Sequence, residues 1–144
     1  MLADYVRGTL GTARYLVNGG GATLKDYGAD RDRLHRDAAF LERLPPYHET
    51  EEYIFVHAGL EPGIPLEQQE VERMLWIRGS FIRGYRGKTV VFGHTPTLGI
   101  NGTTEVYRGE DKIGIDTGVA YGGLLTMLEL PSGRTYQSPG DDVG

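Results

Sequence analysis

The sequence contains no cysteine. Disulfides, thiolate-bound metals and a cysteine nucleophile are thereby excluded. It also has no apolar stretch near the roughly 18 residues of a membrane helix, and MLADYVRGTLG at the start has no basic segment leading into an apolar run. No membrane partner is expected, and the expected location is cytoplasmic. Excess positive charge is missing too. The formal net charge is −5, with acids and bases interleaved, so no basic face offers itself to a phosphate backbone and nucleic acid is not an expected partner. There is no G-x-S-x-G elbow, and NGGGATLKDYG lacks the lysine and Ser/Thr pair in P-loop spacing, which leaves serine-hydrolase and P-loop chemistry without support.

What is present is 144 residues, 39% hydrophobic and 24% charged, enough for a single globular unit with one core. Glycine is abundant, at 22 residues, and clusters at element boundaries in NGGGA (18–22), FGH (92–94), IDTG (115–118) and YGG (121–123). Loops with unusual backbone angles or close ligand approach need such residues. The first half reads helical. Leu2, Tyr5 and Val6, then Ala13, Leu16 and Val17, flank a break near Gly8 and Gly11, and Asn18 with its glycines stops and restarts the helix. From Asp30, an N-cap, Leu34, Ala38, Leu41 and Leu44 mark an amphipathic helix that Pro45 and Pro46 end.

Beyond Pro46 the pattern turns to strands. YIFV (53–56) and TVVF (89–92) are short, apolar and rich in aromatic and β-branched residues, as buried strands are. Between them, Val71, Met74 and Leu75 share a helical face. DKIGID (111–116) alternates, and GGLLTMLEL (122–130) turns through PSG into RTYQS as a hairpin. The expected fold class is α/β with mixed sheets: 1–46 mainly helical, 47–137 strands with short helices, and 138–144 a tail.

His57 follows YIFV directly, and His94 follows TVVF after one glycine. Carboxyl ends of strands are where α/β folds build sites, and if these strands are neighbours the two imidazoles converge. Imidazole is the commonest transition-metal ligand, although a histidine at a strand end is also a common structural residue. Zinc needs at least three protein ligands and a two-metal centre needs carboxylates; Asp116 and Glu61 are the nearest acids in pattern, neither in a ligand motif. Arg78 either clamps phosphate oxygens through its planar fork or is a surface residue neutralising a helix end. Tyr121, in a glycine-rich loop, either leans on a substrate or packs at the edge of the core. His35 reads as a surface residue on a helix and His48 as one in a polar turn.

Four segments, YIFVHAGLEPG, LWIRGSF, VVFGHTPT and IGIDTGVAYGGLLTMLEL, in this order and separation, resemble the second half of bacterial serine/threonine phosphoprotein phosphatases of the calcineurin-like metallophosphoesterase superfamily. The likeness spans about residues 1–137. It implies part of a four-layer α-β-β-α sandwich and a centre of two divalent metal ions, manganese first, with iron or zinc as alternatives. His57 and His94 would bind one of those metals, Arg78 would contact the substrate phosphate, and Tyr121 would border the site. Asp116 and Gly118 read as shaping the loop. The implied substrate is a phosphorylated protein or a small phosphate ester, with phosphoserine and phosphothreonine foremost. A symmetrical dinucleoside-tetraphosphate hydrolase shares these motifs, and a non-catalytic binding module that kept the fold is a third reading.

The departures matter as much. The family's G-D-x-H-G, G-D-x-x-D-R-G and G-N-H-[DE] segments, which supply the bridging carboxylate, the other ligands and the acid, do not occur in this sequence. The chain therefore reads as a fragment of a phosphatase, with little or no activity alone. Strands 53–56 and 89–92, lacking those partners, are expected to present an open edge and apolar faces, with self-association as the symptom.

Overall fold

The computed structural model describes residues 1–140. The chain divides into a unit of residues 1–45 and a second unit that begins at Pro46.

The first unit is helical. Helix α1 (Leu2–Val6) and helix α2 (Thr12–Tyr15) are separated by the break at Gly8–Gly11 that the sequence predicts. After Tyr15 the chain stays coiled to Asn18 and Gly19, where the backbone kinks: Gly19 has φ 84°, a left-handed angle that glycine adopts without a Cβ clash. Helix α3 (Gly21–Tyr27) restarts beyond it. Helix α4 (Arg31–Glu42) begins as expected at Asp30, whose carboxylate accepts the Arg33 amide at 2.9 Å and satisfies one of the orphan donors of the first turn. It ends at Glu42, short of the prolines.

The second unit is built on a mixed sheet of five strands in the order β1-β2-β3-β5-β4. Its strands are β1 (Tyr47–Glu49), β2 (Tyr53–Val56), β3 (Thr89–Phe92), β4 (Tyr107–Gly109) and β5 (Lys112–Gly114). Strands β2, β3 and β5 run parallel, and β1 and β4 are antiparallel edges. Helices α5 (Val71–Trp76) and α6 (Gly79–Gly84) form the crossover from β2 to β3, and α7 (Leu98–Asn101) follows β3. A second sheet is the hairpin of β6 (Leu124–Leu128) and β7 (Thr135–Pro139). This is the expected mixed α/β class.

The core explains the register. Ile54, Val56, Val90 and Phe92 from the sheet meet Met74, Ile77, Phe81 and Tyr85 from α5, α6 and their ends. Phe81 is fully buried and sits edge-on to Phe92, ring centres 5.0 Å apart. It leaves no room at Gly59, where any Cβ would overlap the Phe81 ring.

Four expectations change. Strands 53–56 and 89–92 are not open edges: β1 and β5 flank the β2–β3 pair, and the edges are the three-residue strands β1 and β4. His48 lies in β1 opposite Phe55 rather than in a turn, because β1 pairs back on β2. In DKIGID the buried positions are Lys112 and Gly114, with Ile113 half-buried. Lys112 tolerates this by donating from Nζ to the Tyr85 carbonyl at 2.8 Å and lying over the Phe81 and Tyr85 rings. Ser138 and Pro139, read as tail, close β7, while 141–144 of that tail lie outside the described residues.

Candidate functional site

Parallel pairing of β2 with β3 sets Tyr53 against Thr89 and Phe55 against Val91. Continued by two residues, the register places His57 beside Gly93, and the Gly93 amide donates to the His57 carbonyl at 2.9 Å. The next residue is His94, and its ring centre lies 4.9 Å from that of His57. The convergence expected of neighbouring strand ends is therefore a direct result of register. Strand β5, on the far side of β3, ends at the same level and delivers Asp116, whose carbonyl accepts the Thr97 amide at 2.8 Å. Three parallel strands thus bring His57, His94 and Asp116 to one carboxyl edge.

His94 is held under strain. Its φ is 63°, the one non-glycine residue with positive φ among the described residues. A left-handed angle costs a residue bearing a Cβ about 1–2 kcal/mol, and such angles persist where surroundings enforce them, often at functional sites. Here His94 is the centre of a tight three-residue turn in which the Thr95 amide donates to the Gly93 carbonyl at 2.6 Å, and Arg78 Nη1 donates to the His94 carbonyl at 2.8 Å and lies 3.4 Å from the Thr95 hydroxyl. Arg78 is itself fixed by the chain around it. Ile77, nearly fully buried, anchors the turn after α5, and the Met74 carbonyl of α5 accepts the Ala58 amide at 2.9 Å, tying that helix to the residue after His57.

The electrostatics keep both rings neutral. Burial pushes His94 down to about 4, helped by the positive charge of Arg78 and by His57, with Asp116 opposing. His57 is lowered too, by burial first; although its outer side is open to water, the sheet end covers the rest, and Asp116 again opposes. Neutral imidazole is the form that binds metals. The Nε2 of His94 is buried and has no hydrogen-bond partner. Buried polar atoms are paired in the great majority of cases, and an unpaired one, here His94 Nε2 together with the Thr97 hydroxyl, calls for an explanation such as strain, a water or an ion.

This donor set fits an ion only in part. The two imidazoles suit one divalent metal, with the unpaired Nε2 of His94 aimed at no protein group. The described residues contain no group of three or more histidine and acidic side chains able to hold a metal, so they do not complete a centre for one ion, still less for two. Asp116 spends Oδ1 on the Gly118 amide at 3.1 Å, as its loop-shaping reading requires, and its charge partly opposes the lowering of both histidines. Glu61 is engaged elsewhere, in a two-point pair with Arg73 at 2.9 and 3.1 Å. Tyr121 is 82% exposed on the loop between Gly118 and Gly122, and no described contact brings it to the imidazoles.

Two further residues shape the site without having been singled out in the sequence. Trp76 lies edge-on to His94, ring centres 5.4 Å apart and planes at 88°. Gln69 is buried and bonds the Glu61 amide, the Glu61 carbonyl and the Ile64 carbonyl, holding closed the loop that leaves His57. The adjacency of Trp76 to Arg78 in LWIRG was the available signal for the first; a glutamine in QQEVER offers none for the second.

No family model matches the chain, and no curated protein matches it. A solved crystal structure described as that of "a putative diadenosine tetraphosphatase" is similar in fold, with a TM-score of 0.60 at 22% identity, over 86% of this chain and 67% of that one. At that identity the likeness establishes a shared fold.

Proposed function

We propose that this chain carries the imidazole side of a metal-dependent phosphoesterase centre that, once carboxylate ligands complete it, acts on phosphate esters in the cytoplasm, with little or no activity in this chain alone. The observation that carries the reading is His94: a strained residue with a buried, unpaired Nε2, 4.9 Å from a second neutral imidazole and bonded through its carbonyl to an arginine. A divalent ion bound there, manganese first and iron or zinc next, would supply Lewis-acid polarisation of a phosphoryl oxygen. The protein's own part is to hold two neutral ligands and a fixed guanidinium. Arg78 uses Nη1 on the His94 loop, and its Nε and Nη2 have no protein partner among the described residues, which leaves donors for phosphate oxygens. Tyr121, exposed on its loop, is proposed to lean on the bound substrate.

The ordered motifs favour phosphoserine and phosphothreonine in proteins as substrate. The fold shared with the tetraphosphatase-like structure supports a second reading, a dinucleoside tetraphosphate. Either reaction needs carboxylate ligands and a proton donor that this donor set does not provide. The test is hydrolysis of a phosphothreonine peptide and of diadenosine tetraphosphate with added manganese, by this chain alone and by a version carrying the G-D-x-H-G and G-N-H-[DE] segments. Turnover by the longer protein only is expected. Full-rate turnover by the 144-residue chain would remove the need for those segments, and none by either would leave the binding-module reading.

A further inference from the structure

We propose that Trp76 is a positioning residue that braces the His94 imidazole, with its unpaired Nε2, in a single orientation; the inference rests on the metal-site reading above. A metal-binding histidine is ordinarily oriented by a hydrogen bond from its other ring nitrogen to a carboxylate, carbonyl or water. Among the described residues the His94 ring makes no hydrogen bond at all; its one polar link is through the backbone carbonyl, to Arg78. Orientation of the ring therefore falls to packing. Two rings touch it: His57, tilted by 50°, and Trp76, at 88° and 5.4 Å. His57 is itself a proposed ligand with an open outer side, so Trp76 is the structural one of the pair.

The indole is well placed to do this. It is the last residue of α5, whose Met74 is buried and whose Met74 carbonyl bonds Ala58, and Ile77 beyond it is buried as well. The backbone on both sides of Trp76 is thus anchored, although 37% of the residue's own surface is exposed. The same short segment grips His94 twice, the ring through Trp76 and the carbonyl through Arg78. An edge-to-face contact adds a preference for one ring orientation beyond the area it covers.

The test compares Trp76→Ala, Trp76→Leu and Trp76→Phe in the full 144-residue chain by two measurements. The first needs no metal: nuclear Overhauser contacts and line widths of the His94 ring protons report whether the imidazole holds one orientation. The second is zinc affinity by calorimetry. One orientation in the wild type and in Trp76→Phe is expected, with averaging in Trp76→Ala and Trp76→Leu and a loss of zinc affinity of about 3- to 10-fold in the latter two, the scale of one ring contact. Phenylalanine restoring what leucine of similar bulk does not separates positioning from simple packing, and the pair remains informative where alanine unfolds the chain. A His94 ring equally ordered in the leucine variant overturns the proposal. Absence of zinc binding by the wild type would instead defeat the metal reading, with the metal-free measurement still deciding the role of Trp76.

Discussion

Residues 1–45 bury only Tyr15 and Ala38 among their hydrophobic side chains, and leave Leu16, Val17, Phe40, Leu41 and Leu44 exposed. The sheet unit buries eleven, from Ile54 to Phe92, and all of them but Val91 form one contiguous core. The helical unit relies on local devices: the Asp30 cap, the Tyr5–Tyr15 stack at 4.4 Å, and surface ion pairs such as Arg7–Glu42 at 3.0 Å. Exposed pairs of that kind contribute about 0–1 kcal/mol each. Burial of a large apolar side chain contributes more, roughly 1.5–3 kcal/mol. The proposed site is built entirely on the second kind of structure, and a strained residue such as His94 needs that rigidity.

The largest expected effect follows from this. Phe81→Ala removes the ring at the centre of the sheet unit and should cost about 3–5 kcal/mol, measured by chemical denaturation. Leu41→Ala on exposed α4 should cost well under 1 kcal/mol, and equal losses at the two positions would erase the contrast between the units.

His94 comes next. Glycine accepts a positive φ freely, so His94→Gly should be about 1 kcal/mol more stable than His94→Ala, which loses the same ring and its contacts but keeps a Cβ. A glycine variant no more stable than the alanine one in a urea melt would mean that the strain is not there to release. In the folded chain the imidazole is held near 4, below its ordinary value. The unfolded chain therefore takes up the proton first, so stability is complete above about pH 6.5 and declines as pH falls toward 4. Melting temperature followed from pH 7 to 4 should show that decline, flattened in His94→Gln.

Smaller effects sharpen the same contrast. Asp30→Ala should cost about 1 kcal/mol and lower the helical signal in circular dichroism. Lys88→Ala breaks the 2.6 Å pair with Glu49 at the sheet margin and should cost no more than about 1 kcal/mol, despite its good geometry.

Periodicity and punctuation revealed much of this architecture. The Asp30 cap, the bounds of β2 and β3 and the β6–β7 hairpin follow from local chemistry that acts within a few residues. Strand β1 and buried Lys112 did not show, because each depends on a neighbour distant in sequence: β1 on pairing with β2, Lys112 on the Tyr85 carbonyl. The site divides in the same way. His57 and His94 were legible as matching strand ends. The edge-on indole and the bond that Arg78 makes to the His94 carbonyl were not, since they arise only when α5 docks beside β2, and a histidine in place of glycine gave no sign of the left-handed angle in its turn. The sequence also suggested exposed apolar strands, and the exposed large apolar residues of the described strands turn out to be Leu125, Met127 and Tyr136 on the hairpin.

The central claim is that His57 and His94 form one side of a metal site, and calorimetric titration of the 144-residue chain with zinc tests it most directly. The account predicts weak binding of one equivalent, since two imidazoles are an incomplete ligand set, and its loss in both His57→Ala and His94→Ala. Binding that survives both substitutions, or no binding by the wild-type chain, would contradict it.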